Sequence, residues 1–164
     1  MVVGLSLSIG GDTQLARSFS RFTGGLRDLR PGWERVSDDL FRITAEQFDS
    51  EGGASGGWTP LNPTYAGRKA QVAPGAKILV FSVRMRESLV RKGGAHVDER
   101  KKQSMKWGTK VKSPGGFPYP TAHQEGTRLM PKREIFDLTE TDKRALTRSI
   151  QVHLVEVAKK NGLL

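Results

Sequence analysis

The sequence predicts an α+β fold: a small antiparallel sheet with an exposed hairpin, packed by N-terminal helices and a C-terminal helix, with long irregular loops. Three observations predict it. Apolar residues recur at helical spacing near both ends of the chain. Residues 95–111 alternate as strands do. Glycine (19) and proline (8) are frequent enough among 164 residues to demand irregular connections. That length favours a single domain, 1–164, with one sizeable core.

Val2, Leu5, Leu7 and Ile9 keep close to a period of two and read as a short strand ended by Gly10-Gly11. Asp12 or Thr13 can then cap a helix whose apolar face is Leu15, Phe19, Phe22, Leu26 and Leu29. The Gly24-Gly25 pair weakens its middle. Pro31 suits the opening of a second helix, where its missing N–H costs nothing. Trp33, Val36, Leu40 and Thr44 form its stripe, flanked by Phe41 and Phe48, with Arg35, Asp38, Asp39 and Arg42 facing away. The helix stops at Glu51-Gly52-Gly53.

Residues 52–76 read as a long loop, and loops of that length are either functional or disordered. Trp58 and Leu61 anchor it, so a docked assembly arm is expected. Residues 78–89 read as a strand turning into a short helix near Ser82, with Met85 and Leu89 one turn apart. A hairpin follows over 95–111, with 98–104 as its connection or flanking strand ends. Residues 113–120, rich in Gly and Pro, read as a turn-rich extended stretch and a second arm. The clearest element comes last. Thr139 is a good N-cap, Asp142 stands three residues on, and Leu146, Ile150, Leu154 and Val157 make one face. Lys159-Lys160 suit the C-terminal end, and Asn161-Gly162 stop the helix.

Little points to catalysis. Cysteine is absent, which removes disulfides and thiolate metal sites. There is no phosphate-binding loop and no nucleophile elbow. His96, His123 and His153 are isolated from one another, short of the three or four ligands zinc requires. Asp38, Asp39 and Glu99 read as solvated charges rather than an acid pair. No enzyme activity, metal or cofactor is expected. No apolar run is long enough to cross a bilayer, and the start is unlike a signal peptide, so a soluble chain without a membrane partner is expected.

Charge is the positive signal. The formal net charge is +10 and the pI about 10.2, which attracts polyanions or acidic protein faces. Between positions 84 and 112, ten basic residues face only Glu87, Asp98 and Glu99. If 95–111 is a hairpin, one arm and its turn present a basic ribbon with Trp107 among lysines. Arg100, Lys101, Lys102, Lys106, Lys110 and Lys112 are then candidate contacts to DNA or to an acidic partner. Solvated lysines keeping a hairpin soluble are the blander reading.

Several segments together resemble the Mu-type phage virion morphogenesis (tail completion) family. The first is Phe48-Asp49-Ser50-Glu51-Gly52, followed by Trp58-Thr59-Pro60-Leu61 and Thr64. The second is Ile78-Leu79-Val80-Phe81-Ser82-Val83-Arg84-Met85-Arg86-Glu87-Ser88, with Val83 where the family signature has glycine. The third is Tyr119-Pro120-Thr121-Ala122-His123-Gln124-Glu125-Gly126, then Pro131-Lys132-Arg133 and Ile135-Phe136-Asp137-Leu138-Thr139, with Asp137 replacing a glycine. The resemblance covers about 15–158.

It implies a structural ring subunit, expected hexameric, at the virion head–tail junction, assembled in the bacterial host cytoplasm. Its partners would be sister copies, adjoining neck or connector ring proteins, tail tube or tail terminator proteins, and DNA in the channel. Tail terminator, tail-completion protein and neck adaptor all suit such a subunit. Trp58, Leu61, Trp107 and Phe117 are candidate interface anchors, since aromatics carry much of interface energy. Burial in the chain's own core is the competing role for each. The alternative function is sequence-independent nucleic-acid binding.

Overall fold

Helix-forming periodicity at both ends dictates the frame, and the computed structural model describes it over residues 12–164. The alternation at residues 2–9 lies outside the described residues. Helix α1 (Asp12–Leu26) runs through its glycine pair but ends one residue beyond it, so Leu29 caps the next helix rather than extending the first. Gly25 is where α1 meets the C-terminal helix: a Cβ there would lie 2.4 Å from Val157 Cγ1.

Helix α2 (Arg30–Asp49) has Pro31 in its first turn, as its sequence favours. It buries Val36, Ile43 and Phe48 together with Ser37, Thr44 and Gln47. After it, the chain reverses through Gly52 at φ +91°, where a Cβ would sit 2.4 Å from Trp58 Cδ1; only glycine fits.

The segment expected to be one loop, 52–76, contains a short 3₁₀ turn (Gly53–Ser55) and a full helix, α3 (Pro63–Val72). The Asn62-Pro63 pair that reads as a turn is in fact an N-cap followed by a first-turn proline. The Asn62 Oδ1 accepts from the Thr64 N–H at 3.0 Å. No strand forms at 78–81, contrary to the expectation from its β-branched residues. Among the described residues no neighbouring strand pairs with it, and left-handed φ values at Leu79 (+61°) and Val83 (+51°) break the extended path. Helix α4 (Arg84–Val90) follows and buries Met85 and Leu89.

The hairpin is present: β1 (His96–Arg100) pairs antiparallel with β2 (Met105–Thr109), placing Asp98 opposite Trp107 and Glu99 opposite Lys106. Period-two alternation leaves Glu99 and Lys106 exposed and turns Trp107 inward. The hairpin turn is tied to the start of α2, since the Lys101 carbonyl accepts from Trp33 Nε1 at 3.0 Å and the Lys102 carbonyl from the Leu29 N–H at 2.8 Å.

Residues 113–120 do not run extended. Ser113 N–H donates to the Phe117 carbonyl at 3.0 Å and Gly116 N–H to the Ser113 carbonyl at 2.9 Å, closing a turn before α5 (Tyr119–Glu125). The last helix, α6 (Glu140–Lys160), starts on the expected capping box: Asp142 N–H donates to Thr139 Oγ1 at 3.1 Å, and Thr139 N–H to Asp142 Oδ2 at 3.0 Å. Helix α6 packs along α2, with Arg35 and Glu156 paired across them at 2.8 Å. Phe48, Trp58, Met85, Leu89 and Ile135 form the core, which draws on α2, α4 and two loops.

Candidate partner-binding surface

Ion pairing divides the basic residues at 84–112. Arg100 pairs with Asp98 at 2.6 Å and approaches Glu34 at 3.7 Å; Lys106 approaches Glu99 at 3.9 Å. Arg86, Arg91 and Lys92 each meet a carboxylate as well. Arg84, Lys101, Lys102, Lys110 and Lys112 have no carboxylate partner among the described residues. These five fall in two places. Lys101 and Lys102 project from the hairpin turn, while Arg84, Lys110 and Lys112 line a cleft of about 730 Å³ between α4, the Gly93-Gly94 turn and the end of β2.

The expected ribbon with an aromatic among its lysines is therefore corrected. Trp107 sits on the opposite face of β2 from Lys106, in an edge-to-face cluster with Phe41, His96 and Phe136 at centroid distances of 5.2–5.3 Å. It cannot stack on a base without leaving that cluster.

Arg100's hydrogen bonds hold the Asp98 carboxyl below the usual carboxylate range against its burial, with help from Ser37. A depressed acid stabilises fully above its unfolded pKa, about 3.9, and loses that contribution as pH falls through the lower folded value. Asp98→Asn is accordingly expected to cost about 2 kcal/mol at pH 7, within the range for a hydrogen bond to a charged group. The cost should shrink toward pH 3, as urea melts at both pH values would record.

The other candidates separate by burial. Trp58 is 6% exposed and belongs to the core, donating from Nε1 to the Glu134 carbonyl at 2.8 Å. Phe117 stands half exposed on the 113–117 turn, and Leu61 is partly buried at the edge of a second concavity. This groove, about 670 Å³, was not legible in the sequence because five separate segments build it. Tyr65 and Lys69 come from α3, Leu79 and Phe81 to Met85 from the approach to α4 and its first turn, Lys112 to Pro114 from the chain after β2, Tyr119 and His123 from α5, and Leu129 to Pro131 with Arg133 from the segment that follows. Arg84 and Lys112 line both concavities, so the basic cleft and the groove adjoin.

Two cations under the groove are buried. Lys69 donates to the Lys77 carbonyl, and Arg133 donates from Nε to the Thr59 carbonyl at 2.7 Å and from Nη2 to the Pro60 carbonyl at 3.0 Å. Burial lowers the pKa of both, and neither meets a carboxylate within ion-pair distance among the described residues. Burial, with Arg133 nearby, also lowers the pKa of His123.

The three histidines occupy separate surroundings. His96 lies beside the Ser88 carbonyl at 2.9 Å, His123 faces the groove, and His153 packs on Gly32. Among the described residues no three His, Asp or Glu side chains gather as a metal site would need, and no helix is long and apolar enough to cross a membrane.

The residues that carry the family resemblance converge in space. Gln124 accepts at Oε1 from the Ile135 and Phe136 N–H groups, each at 2.9 Å, and donates to the Phe136 carbonyl at 3.0 Å. Arg133 grips the Thr59 and Pro60 carbonyls, and Trp58 reaches the Glu134 carbonyl, which Gln47 also reaches at 2.9 Å. Position 83, a glycine in the family signature, has φ +51°. A β-branched residue is strained there. Because Val83 is half exposed, Val83→Gly is expected to stabilise the chain by about 1 kcal/mol, strain relief outweighing the entropy of glycine, and thermal melts would register it. No family model, curated protein or solved structure matches this chain.

Proposed function

We propose that this chain is a structural phage virion protein at the head–tail junction, one subunit of a homo-oligomeric ring that completes or caps the tail. One observation carries the reading. Motif residues far apart in the chain (Gly52, Trp58, Gln124, Arg133) meet in a single interlocked framework, and position 83, one of the two replaced glycine positions, has a left-handed φ. That convergence is what supports the reading. Their work is architectural: they pin two long loops to the core, which keeps the surface loops in fixed positions for neighbours to dock on.

Trp58 and Trp107 are committed to the chain's own packing, which leaves Leu61 and Phe117 as interface anchors. Leu15 and Phe19, both half exposed on α1, add apolar surface of the kind subunit contacts use. The expected partners are sister copies, then the adjoining neck, connector or tail tube proteins. Mass photometry over a range of concentrations tests the ring: a species near six times the 18.1 kDa chain mass is expected, with a closed ring by electron microscopy. A chain that stays monomeric at every concentration would remove the ring.

The five cations without carboxylate partners favour a second reading, sequence-independent nucleic-acid binding. Duplex DNA binding that weakens steeply with salt, and that Lys101→Glu plus Lys102→Glu abolishes with assembly intact, would support it. That pair is a clean test because the turn is held through the backbone carbonyls of both residues, not through their side chains.

A further inference from the structure

We propose that the groove between α3, α4 and α5 docks an extended segment of a partner protein in which apolar side chains stand beside carboxylates. The inference goes beyond the ring reading and stands without it, because a monomer presents the same groove.

Its charges are of one sign. Lys69, Arg84, Lys112 and Arg133 line it, and no aspartate or glutamate does. Lys69 and Arg133 are 5% and 6% exposed and satisfied only by carbonyls, so a buried positive field remains for an anion to neutralise. The rest of the lining is largely apolar, which demands apolar contacts beside that anion.

The rim decides between a small amphiphile and a protein. Leu129 is 85% exposed and Phe81 51%, and both stand at the groove's edge, where a ligand seated inside would leave them wet. Leu129 is not merely adrift. Thr127 N–H donates to the Met130 carbonyl at 2.8 Å, and Thr127 Oγ1 accepts from the Leu129 and Met130 N–H groups at 3.2 and 3.0 Å. A closed turn thus holds an isobutyl group out in water. Pre-organised apolar side chains over a basic floor suit a chain that lies along the groove and covers its rim. DNA fits poorly, since phosphates gain nothing from Leu129, Phe81 and Met130.

Fluorescence anisotropy with three labelled peptides tests the proposal: one alternating Asp or Glu with Leu or Phe, its lysine counterpart, and an acidic one with Ser in place of the apolar residues. The full chain is expected to bind the first and to ignore the other two. Arg84→Glu and Lys112→Glu, at exposed side chains, should each weaken binding about tenfold, and Phe81→Ser with Leu129→Ser should weaken it further. Absence of binding to the first peptide at low salt would overturn the proposal, as would binding that these variants leave unchanged or equal binding of the serine peptide. So would oligomers that the same variants turn into monomers, which would give the groove to a second copy. A ring that persists while the peptide fails to bind removes this proposal alone; a monomer that binds the peptide removes the ring alone.

Discussion

Trp58→Ala is expected to destabilise the monomer by about 4 kcal/mol, within the range for emptying a large aromatic from a core. The indole is 6% exposed, meets Phe48 edge-to-face at 5.5 Å, and fills the space above Gly52. For a chain of this size that loss lowers the melting temperature by on the order of 10 °C. The hydrogen bond is a minor part of it, because the Glu134 carbonyl keeps the Gln47 amide when the indole is gone. Trp58→Phe should therefore cost about half as much, for lost volume more than for a lost donor. The readout separates two roles: a core residue lowers the melting temperature at every concentration, while an interface anchor would lower it only where the chain is assembled. A Trp58→Ala chain with unchanged monomer stability would return this residue to the interface.

Gln124→Leu is the second large effect, about 3 kcal/mol or more, from leaving two backbone N–H groups and one carbonyl without their partner. The volume hardly changes, so the loss is one of polar satisfaction. Gln124→Glu keeps the acceptor for the Ile135 and Phe136 N–H groups but turns a second acceptor oxygen toward the Phe136 carbonyl. It should cost clearly less than leucine. Chemical denaturation of the three proteins at pH 7 orders them Gln, Glu, Leu in falling stability; an equal effect of the two variants would mean that these bonds do not hold the 135–136 backbone.

Local sequence signals were sufficient wherever the structure is local. The start of α6 depends on Thr139 and Asp142 alone, the end of α2 on the glycines just after it, and the hairpin on alternation between two neighbouring strands. Where a pattern was shared between two conformations, neighbours in space chose. Asn62-Pro63 suits a turn or a helix start, and ten helical residues followed. Ile78 to Phe81 suit a strand only if another strand lies alongside, and among the described residues none does; Ile78, Leu79 and Val80 pack on the core instead.

The candidate surface was legible in its charge and not in its shape. Net positive charge and the crowding of basic residues between 84 and 112 are sequence facts. Which of them are neutralised is not, because Arg100 meets Asp98 and Glu34 and Arg86 meets Asp49 only after folding. For Trp107 the one-residue offset from Lys106 already implied opposite faces, but which face is buried was decided by Phe41, His96 and Phe136 packing there. By itself, then, the sequence determined an α+β chain with capped helices, a hairpin and a basic surface. The tertiary structure alone decided which cations stay free, which tryptophans are spent on the core, and that five separate segments meet to form an apolar groove with a positive floor. The physical reason is that caps and periodicity act over a few residues, whereas ion pairing, burial and cavities depend on groups brought together from across the chain.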